Sequence, residues 1–122
     1  MNNPESKEMY LETILRLKNK GARVRSTDVA SELGYSRPSV SNAVKKLIAE
    51  GYIFVDKDGE LVLTEKGNKQ ANSTYERHIV LTSLFKKMGA AETVAEEDAC
   101  RIEHVISDEL FEVLKNYDGS LK

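Results

Sequence analysis

The chain of 122 residues is 40% hydrophobic and 31% charged, with a formal net charge of −2 and a single cysteine. One cysteine excludes an intramolecular disulfide scaffold and fits a reducing cytoplasm, and no apolar run approaches the roughly 18 residues that a membrane span needs. Recurring apolar residues exclude a disordered chain, while the slight acidity argues weakly against a nucleic-acid-binding protein.

The spacing of apolar residues predicts three helices before residue 52. Glycine residues end them, and small hydroxyl side chains are available to cap the second and third. One helix spans Glu5–Lys20, a short one capped by Ser26 or Thr27 ends at Gly34, and a third capped by Ser36 ends at Gly51.

The apolar period then changes to two, which predicts a β-hairpin of Tyr52–Val55 and Glu60–Leu63. A long helix follows from Thr64 to about Met88. Its glycine, Gly67, costs about 1 kcal/mol relative to alanine, so we expect a contact that requires a small residue there. Two further helices are predicted over residues 91–106 and 107–117, with Ser107 as the N-cap of the last.

This order of elements predicts a mainly α protein in two parts. Residues 1–63 form a winged helix-turn-helix with a two-stranded wing, and residues 64–122 form a helical domain. In a winged helix the third helix enters the major groove with its N-terminal end. The polar residues available there are Ser36, Arg37, Ser39, Ser41 and Asn42.

Each of these side chains suits a different part of DNA. The Arg37 guanidinium can pair with guanine or clamp a phosphate, and the Asn42 amide can read adenine. Ser36 and Ser39 can donate to phosphates. The alternative is a winged helix with a structural or protein-binding role. Since residues 37–58 hold four basic and three acidic residues, we expect DNA binding to require a homodimer and an inverted-repeat operator.

The second part of the chain is more acidic than the net charge of the whole chain suggests. Residues 1–63 contain ten basic and nine acidic residues, whereas residues 64–122 contain eight and eleven. The segment Glu92–Glu112 alone has eight acids and one base. It is either a solvated acidic helix face or a segment that also binds cations.

Cys100, Glu103 and His104 are the densest group of metal-ligand side chains. Their spacing of i, i+3 and i+4 predicts that all three project from one helix face. A thiolate, a carboxylate and an imidazole together suit a divalent first-row transition metal, with a fourth ligand from elsewhere. The alternative is an accidental grouping of a small core cysteine, a hydrogen-bonded histidine and a solvated glutamate.

The chain resembles the iron- and manganese-dependent repressors of the diphtheria toxin repressor type over nearly its whole length. The most specific resembling segment combines Cys100, Glu103-His104 and Ser107-Asp108-Glu109. Weaker resemblances lie at residues 8–11, 36–41, 63–67 and 77–78. The resemblance implies a winged helix-turn-helix followed by a metal-binding and dimerisation domain. It also leads us to expect a short form without the SH3-like third domain of longer members, since the chain ends at Lys122.

The resemblance also assigns roles to residues. Met9 joins Cys100, Glu103 and His104 around one regulatory metal, and His78 matches a ligand of an ancillary second site. Ser36, Pro38, Ser39 and Asn42 match DNA-facing positions.

The chain departs from the iron-type pattern at two ancillary positions, where it has Thr82 instead of glutamate and Glu96 instead of histidine. Glu12 matches a ligand of the manganese branch, whereas Met9 and Cys100 match the iron branch. We therefore treat Glu12, His78 and Glu96 as additional metal-site candidates. The soft sulfur ligands favour Fe²⁺, with Mn²⁺ next.

We therefore predict a cytoplasmic, homodimeric, metal-dependent repressor of metal-ion homeostasis that binds double-stranded DNA. Two rival hypotheses use the same residues. One is a winged-helix repressor that senses thiol oxidation at Cys100. The other is a small metalloenzyme with an open coordination position, for which the sequence offers neither a substrate pocket nor a spare general base.

Overall fold

A computed structural model describes residues 4–21 and 23–120. Within these ranges the chain forms six helices and one two-stranded antiparallel sheet, a mainly helical fold. The elements are α1 (Pro4–Asn19), α2 (Ser26–Leu33), α3 (Arg37–Ala49), β1 (Ile53–Val55), β2 (Leu61–Leu63), α4 (Glu65–Lys87), α5 (Glu92–Ile102) and α6 (Asp108–Ser120). None of the described helices is both long enough and apolar enough to cross a membrane. The chain divides into two compact units within α4, between residues 72 and 73.

The first unit is a winged helix-turn-helix. Apolar residues at helical spacing bury one face of each of its first three helices, and the strands add one buried residue each. The core includes Leu11, Ile14, Val29, Val40, Leu47, Ile53 and Leu61. The strands pair in the register Ile53↔Leu63 and Val55↔Leu61, around a turn that Asp56 stabilises by accepting the N–H groups of Asp58 and Glu60. The predicted hairpin and its turn are confirmed.

The second unit contains the rest of α4 together with α5 and α6. Its buried apolar residues are Leu81, Leu84, Ala95, Ala99 and Phe111. Ser107 caps α6, since its Oγ accepts the Leu110 N–H at 3.1 Å. That cap was predicted, although α6 continues three residues beyond the predicted end at Tyr117.

Two local expectations were wrong. The N-cap of α2 is Arg25 instead of Ser26 or Thr27, because the Asp28 carboxylate accepts the Arg25 N–H at 2.8 Å and extends the helix start by one residue. The fifth helix ends at Ile102, four residues before the predicted end. Its C-cap is Glu103, whose N–H still bonds to the Ala99 carbonyl at 2.9 Å.

Candidate metal centre and nucleic-acid interface

The predicted DNA-facing residues lie together at the start of α3. Ser36 is the N-cap, with φ −68° and ψ 151°, and its Oγ accepts the Ser39 N–H at 3.3 Å. Pro38 lies in the first turn, where a proline has no helical hydrogen bond to lose. All five residues predicted to face DNA are exposed: Ser36, Arg37, Pro38, Ser39 and Asn42. This end of α3 therefore presents an arginine, an amide and hydroxyl groups at the positive end of a helix dipole.

Met9 and Glu12 lie on α1 in the first unit. The half-buried Met9 accepts a hydrogen bond at its Sδ from the Tyr35 hydroxyl, 3.4 Å away. Tyr35 also packs edge-on against Tyr10, with ring centroids 6.1 Å apart. Because Tyr35 lies in the turn before α3, this contact joins a predicted metal ligand to the helix that is predicted to read DNA. Sequence spacing provided no signal for it, since the two residues are 26 positions apart.

Glu12 is a buried carboxylate, with an exposed fraction of 3%. Arg16, one turn later on α1, places its Nη1 3.9 Å from the Glu12 Oε2. Burial of a carboxylate costs free energy unless a cation or hydrogen-bond donors compensate.

The second unit brings three predicted metal-site residues together around one carboxylate. Glu103 is fully buried, and each of its oxygens faces an imidazole nitrogen. His78 Nδ1 lies 3.0 Å from Glu103 Oε2, and His104 Nε2 lies 3.4 Å from Glu103 Oε1. The side chains of His78 and His104 are 10% and 3% exposed. Among the described residues, Glu103 Oε1 accepts no hydrogen bond.

Cys100 lies one turn before Glu103 on α5. Its thiol is free of disulfide bonding and partly buried. The prediction that all three residues project from one helix face fails for His104, since α5 ends at Ile102 and His104 follows in a turn. Cys100 and Glu103 still share the last turn of the helix through the Glu103–Ala99 backbone bond. His104 thus reaches Glu103 from the turn and not from the helix.

The remaining candidates differ in their surroundings. The sequence resemblance placed His78 in an ancillary site, whereas the structure puts its ring against Glu103 of the predicted regulatory site. Glu96 is exposed on α5. Thr82, one turn after His78, has a buried hydroxyl that makes no hydrogen bond within the described part of the chain.

The donor set of the second unit fits a divalent transition metal. It offers two imidazoles, one carboxylate and one thiol, and imidazole suits several first-row metals. The unbonded Glu103 Oε1 is the observation in favour, because a buried carboxylate oxygen without a donor is costly in the metal-free protein. A cation at this place would remove that cost.

Two family models match nearly the whole chain. Residues 4–61 match the N-terminal DNA binding domain of the iron dependent repressors. Residues 64–122 match the metal binding and dimerisation domain of the same family.

Individual relatives agree with both matches. The chain is 35% identical over 120 residues to an uncharacterised HTH-type transcriptional regulator of Methanocaldococcus jannaschii, which covers 97% of this chain and 96% of that protein. It is 32% identical over 121 residues to the diphtheria toxin repressor of Corynebacterium diphtheriae, covering 95% of this chain and 54% of the repressor.

A solved structure of the manganese regulator SloR superposes with a TM-score of 0.80 at 31% identity, covering 91% of this chain and 52% of SloR. The chain thus spans about half the length of SloR and of the diphtheria toxin repressor.

Proposed function

Because the chain belongs to the iron-dependent repressor family, whose members are metal-dependent DNA-binding repressors and not enzymes, we propose that it represses transcription when a cellular divalent metal is abundant. Fe²⁺ is the proposed metal and Mn²⁺ the alternative. The proposed DNA-binding form is a homodimer in the cytoplasm.

The buried Glu103 between two imidazoles is the observation that carries this proposal. A carboxylate with no exposed surface and one unbonded oxygen is expensive to bury in a protein that never binds a cation. The two imidazoles that face it, those of His78 and His104, are themselves common metal ligands. The pattern is typical of a site whose full set of interactions requires a metal.

We propose Cys100, Glu103 and His104 as metal ligands in the second unit. Met9 of α1 is proposed as a further ligand of the same metal, on the basis of the sequence resemblance. Glu12, His78 and Glu96 are the proposed additional ligands. The thioether and thiolate favour Fe²⁺, whereas the carboxylates and imidazoles also accept Mn²⁺. A bound metal would supply positive charge that offsets the cost of burying the Glu103 carboxylate.

DNA recognition is proposed for the exposed start of α3. Arg37 and Asn42 would read base edges, whereas Ser36 and Ser39, with the helix N-terminus, would hold phosphates. Two copies related by a two-fold axis would present two such helices about one turn of DNA apart, which requires an inverted-repeat operator. If metal increases DNA affinity, DNA must increase metal affinity by the same factor.

The experiment combines a metal titration with selection of DNA from a random duplex library. Calorimetry under anaerobic conditions measures the affinity for Fe²⁺, Mn²⁺ and Zn²⁺. Selection then runs in parallel with Mn²⁺ or with EDTA. We expect one symmetric sequence to be enriched with metal and none with EDTA.

Variants locate the metal in the second unit. We expect Glu103→Gln to weaken metal binding by more than the roughly 10- to 100-fold that loss of an outer-shell partner costs, and to abolish DNA selection. Glu97→Gln, an exposed acid on the same helix, is the matched control and should leave both unchanged. Enrichment that persists in EDTA and disappears with peroxide would support the rival thiol-oxidation sensor instead.

A further inference from the structure

Arg77 of α4 links three parts of the second unit through one side chain. Its Nη1 donates to the backbone carbonyls of Glu103, at 3.3 Å, and Ile106, at 2.7 Å. Its Nη2 pairs with the Asp108 carboxylate at the start of α6. The guanidinium carbon lies 5.5 Å from the centroid of the Phe111 ring, and the side chain is only 15% exposed.

These contacts hold the turn between α5 and α6, in which the Val105 and Ile106 N–H groups also donate to the Ile102 carbonyl, both at 3.0 Å. Helix α5 ends at Ile102, and the carbonyls of Glu103 and Ile106 beyond it are bound from α4 by Arg77. The next residue of α4, His78, contacts the Glu103 carboxylate at 3.0 Å. Consecutive residues of α4 therefore hold Glu103 at its backbone and at its side chain.

We propose that Arg77 is a positioning residue for the metal site, a role that rests on the proposed function. By binding the Glu103 and Ile106 carbonyls, it sets the direction in which Glu103 and His104 leave the end of α5. A planar guanidinium with five N–H donors can bind two carbonyls and a carboxylate at once. A lysine ammonium at the same position has a single charge centre and no fixed fork.

Arg77→Lys is the appropriate test because it keeps the positive charge. A change in metal affinity then reflects geometry and not the loss of a cation near the site. We expect the dissociation constant for Mn²⁺, measured by calorimetry, to rise by roughly 10- to 100-fold, the range for loss of an outer-shell partner. With Co²⁺ as a spectroscopic probe, we also expect the ligand-field bands to change in position or intensity.

Global stability must be measured beside metal affinity. A lower free energy of unfolding alone leaves the affinity of the folded protein unchanged as long as little protein is unfolded. Urea denaturation in EDTA therefore identifies the range in which Arg77→Lys is folded, and calorimetry is done there. Unchanged Mn²⁺ affinity and an unchanged Co²⁺ spectrum in the folded variant would overturn the proposal and leave Arg77 a structural residue.

Two further variants complete the design. Lys115→Met removes another contact from α4 to α6, the 2.7 Å ion pair with Glu76, and should leave Mn²⁺ affinity unchanged. Asp108→Asn removes the exposed carboxylate partner of Arg77 and should weaken Mn²⁺ binding measurably even if Arg77→Lys does not fold. An Asp108→Asn protein with wild-type affinity would count against the positioning role. Failure of the wild-type chain to bind Mn²⁺ or Fe²⁺ would instead reject the proposed function.

Discussion

At the scale of single residues, Gly67 in the first turn of α4 lies so close to the Tyr52 backbone that no side chain fits there. Thr64 precedes α4, and its hydroxyl donates to the Gly51 carbonyl at 2.6 Å and accepts the Gly67 N–H at 3.1 Å. A Cβ atom at Gly67 would overlap the Tyr52 carbonyl oxygen and lie 2.9 Å from its carbon. The expectation that a contact requires a small residue at position 67 is thereby confirmed.

We predict that Gly67→Ala destabilises the protein. The alanine gains helix propensity of up to about 1 kcal/mol, but the Tyr52 backbone must move away, and overpacking of this kind costs about 1–3 kcal/mol. Urea denaturation in EDTA measures the net loss. Gly119→Ala in α6 is the control, because a Cβ there meets open space, so it should be neutral or slightly stabilising. Equal stability of both variants would show that the Tyr52 contact relaxes without cost.

At the scale of elements, sequence patterns predicted those features of the helices and strands that depend on interactions between residues close in sequence. The periodicity placed every helix and strand, and the hydroxyl caps at Ser36 and Ser107 are confirmed. Helix α5 ends four residues before the predicted end, and the two carbonyls beyond it that Arg77 binds are 26 and 29 residues away from Arg77 in sequence, contacts that no local pattern reveals. Likewise, the spacing of Cys100, Glu103 and His104 indicated a site, but the approach of His78 to Glu103 depends on tertiary packing.

Ser36 offers a test at this scale, because one side chain caps α3 and also lies at its proposed DNA-facing end. We predict that Ser36→Asp retains stability, since aspartate caps helices well, yet loses DNA binding through repulsion of phosphates. Ser36→Ala should instead lose about 1 kcal/mol of stability. Denaturation curves and mobility shifts with the selected duplex measure the two effects separately.

The control for this test is Ser107→Asp, the same substitution at the cap of α6. It should retain both stability and DNA binding, because aspartate also caps helices well and Ser107 lies outside the proposed DNA-facing start of α3. If Ser36→Asp binds the duplex with wild-type affinity, the start of α3 does not face DNA.

At the scale of the whole molecule, the second unit has to serve dimerisation as well as metal binding, since residues 64–122 match a family model with both roles. A concavity of about 390 Å³ lies between the end of α4 and α5. The residues that line it are apolar except for one charged pair, Asp98 and Arg101. The apolar residues are Phe85, Met88, Ala90, Val94, Ala95 and Ile102. Met88 and Val94 are 70% and 50% exposed and lie together in this groove, which makes the groove a candidate face for a second copy.

We therefore predict that Val94→Lys converts the protein to a monomer and lowers its DNA affinity. The added positive charge would by itself strengthen binding to phosphates, so we attribute the expected loss of affinity to loss of the second copy's proposed DNA-facing helix. Sedimentation equilibrium with Mn²⁺ measures the oligomeric state, and mobility shifts measure the affinity. Val113→Lys, at a 58% exposed position on α6 outside this groove, is the matched control and should remain dimeric. A monomeric Val113→Lys beside a dimeric Val94→Lys would move the dimer interface from the groove to α6.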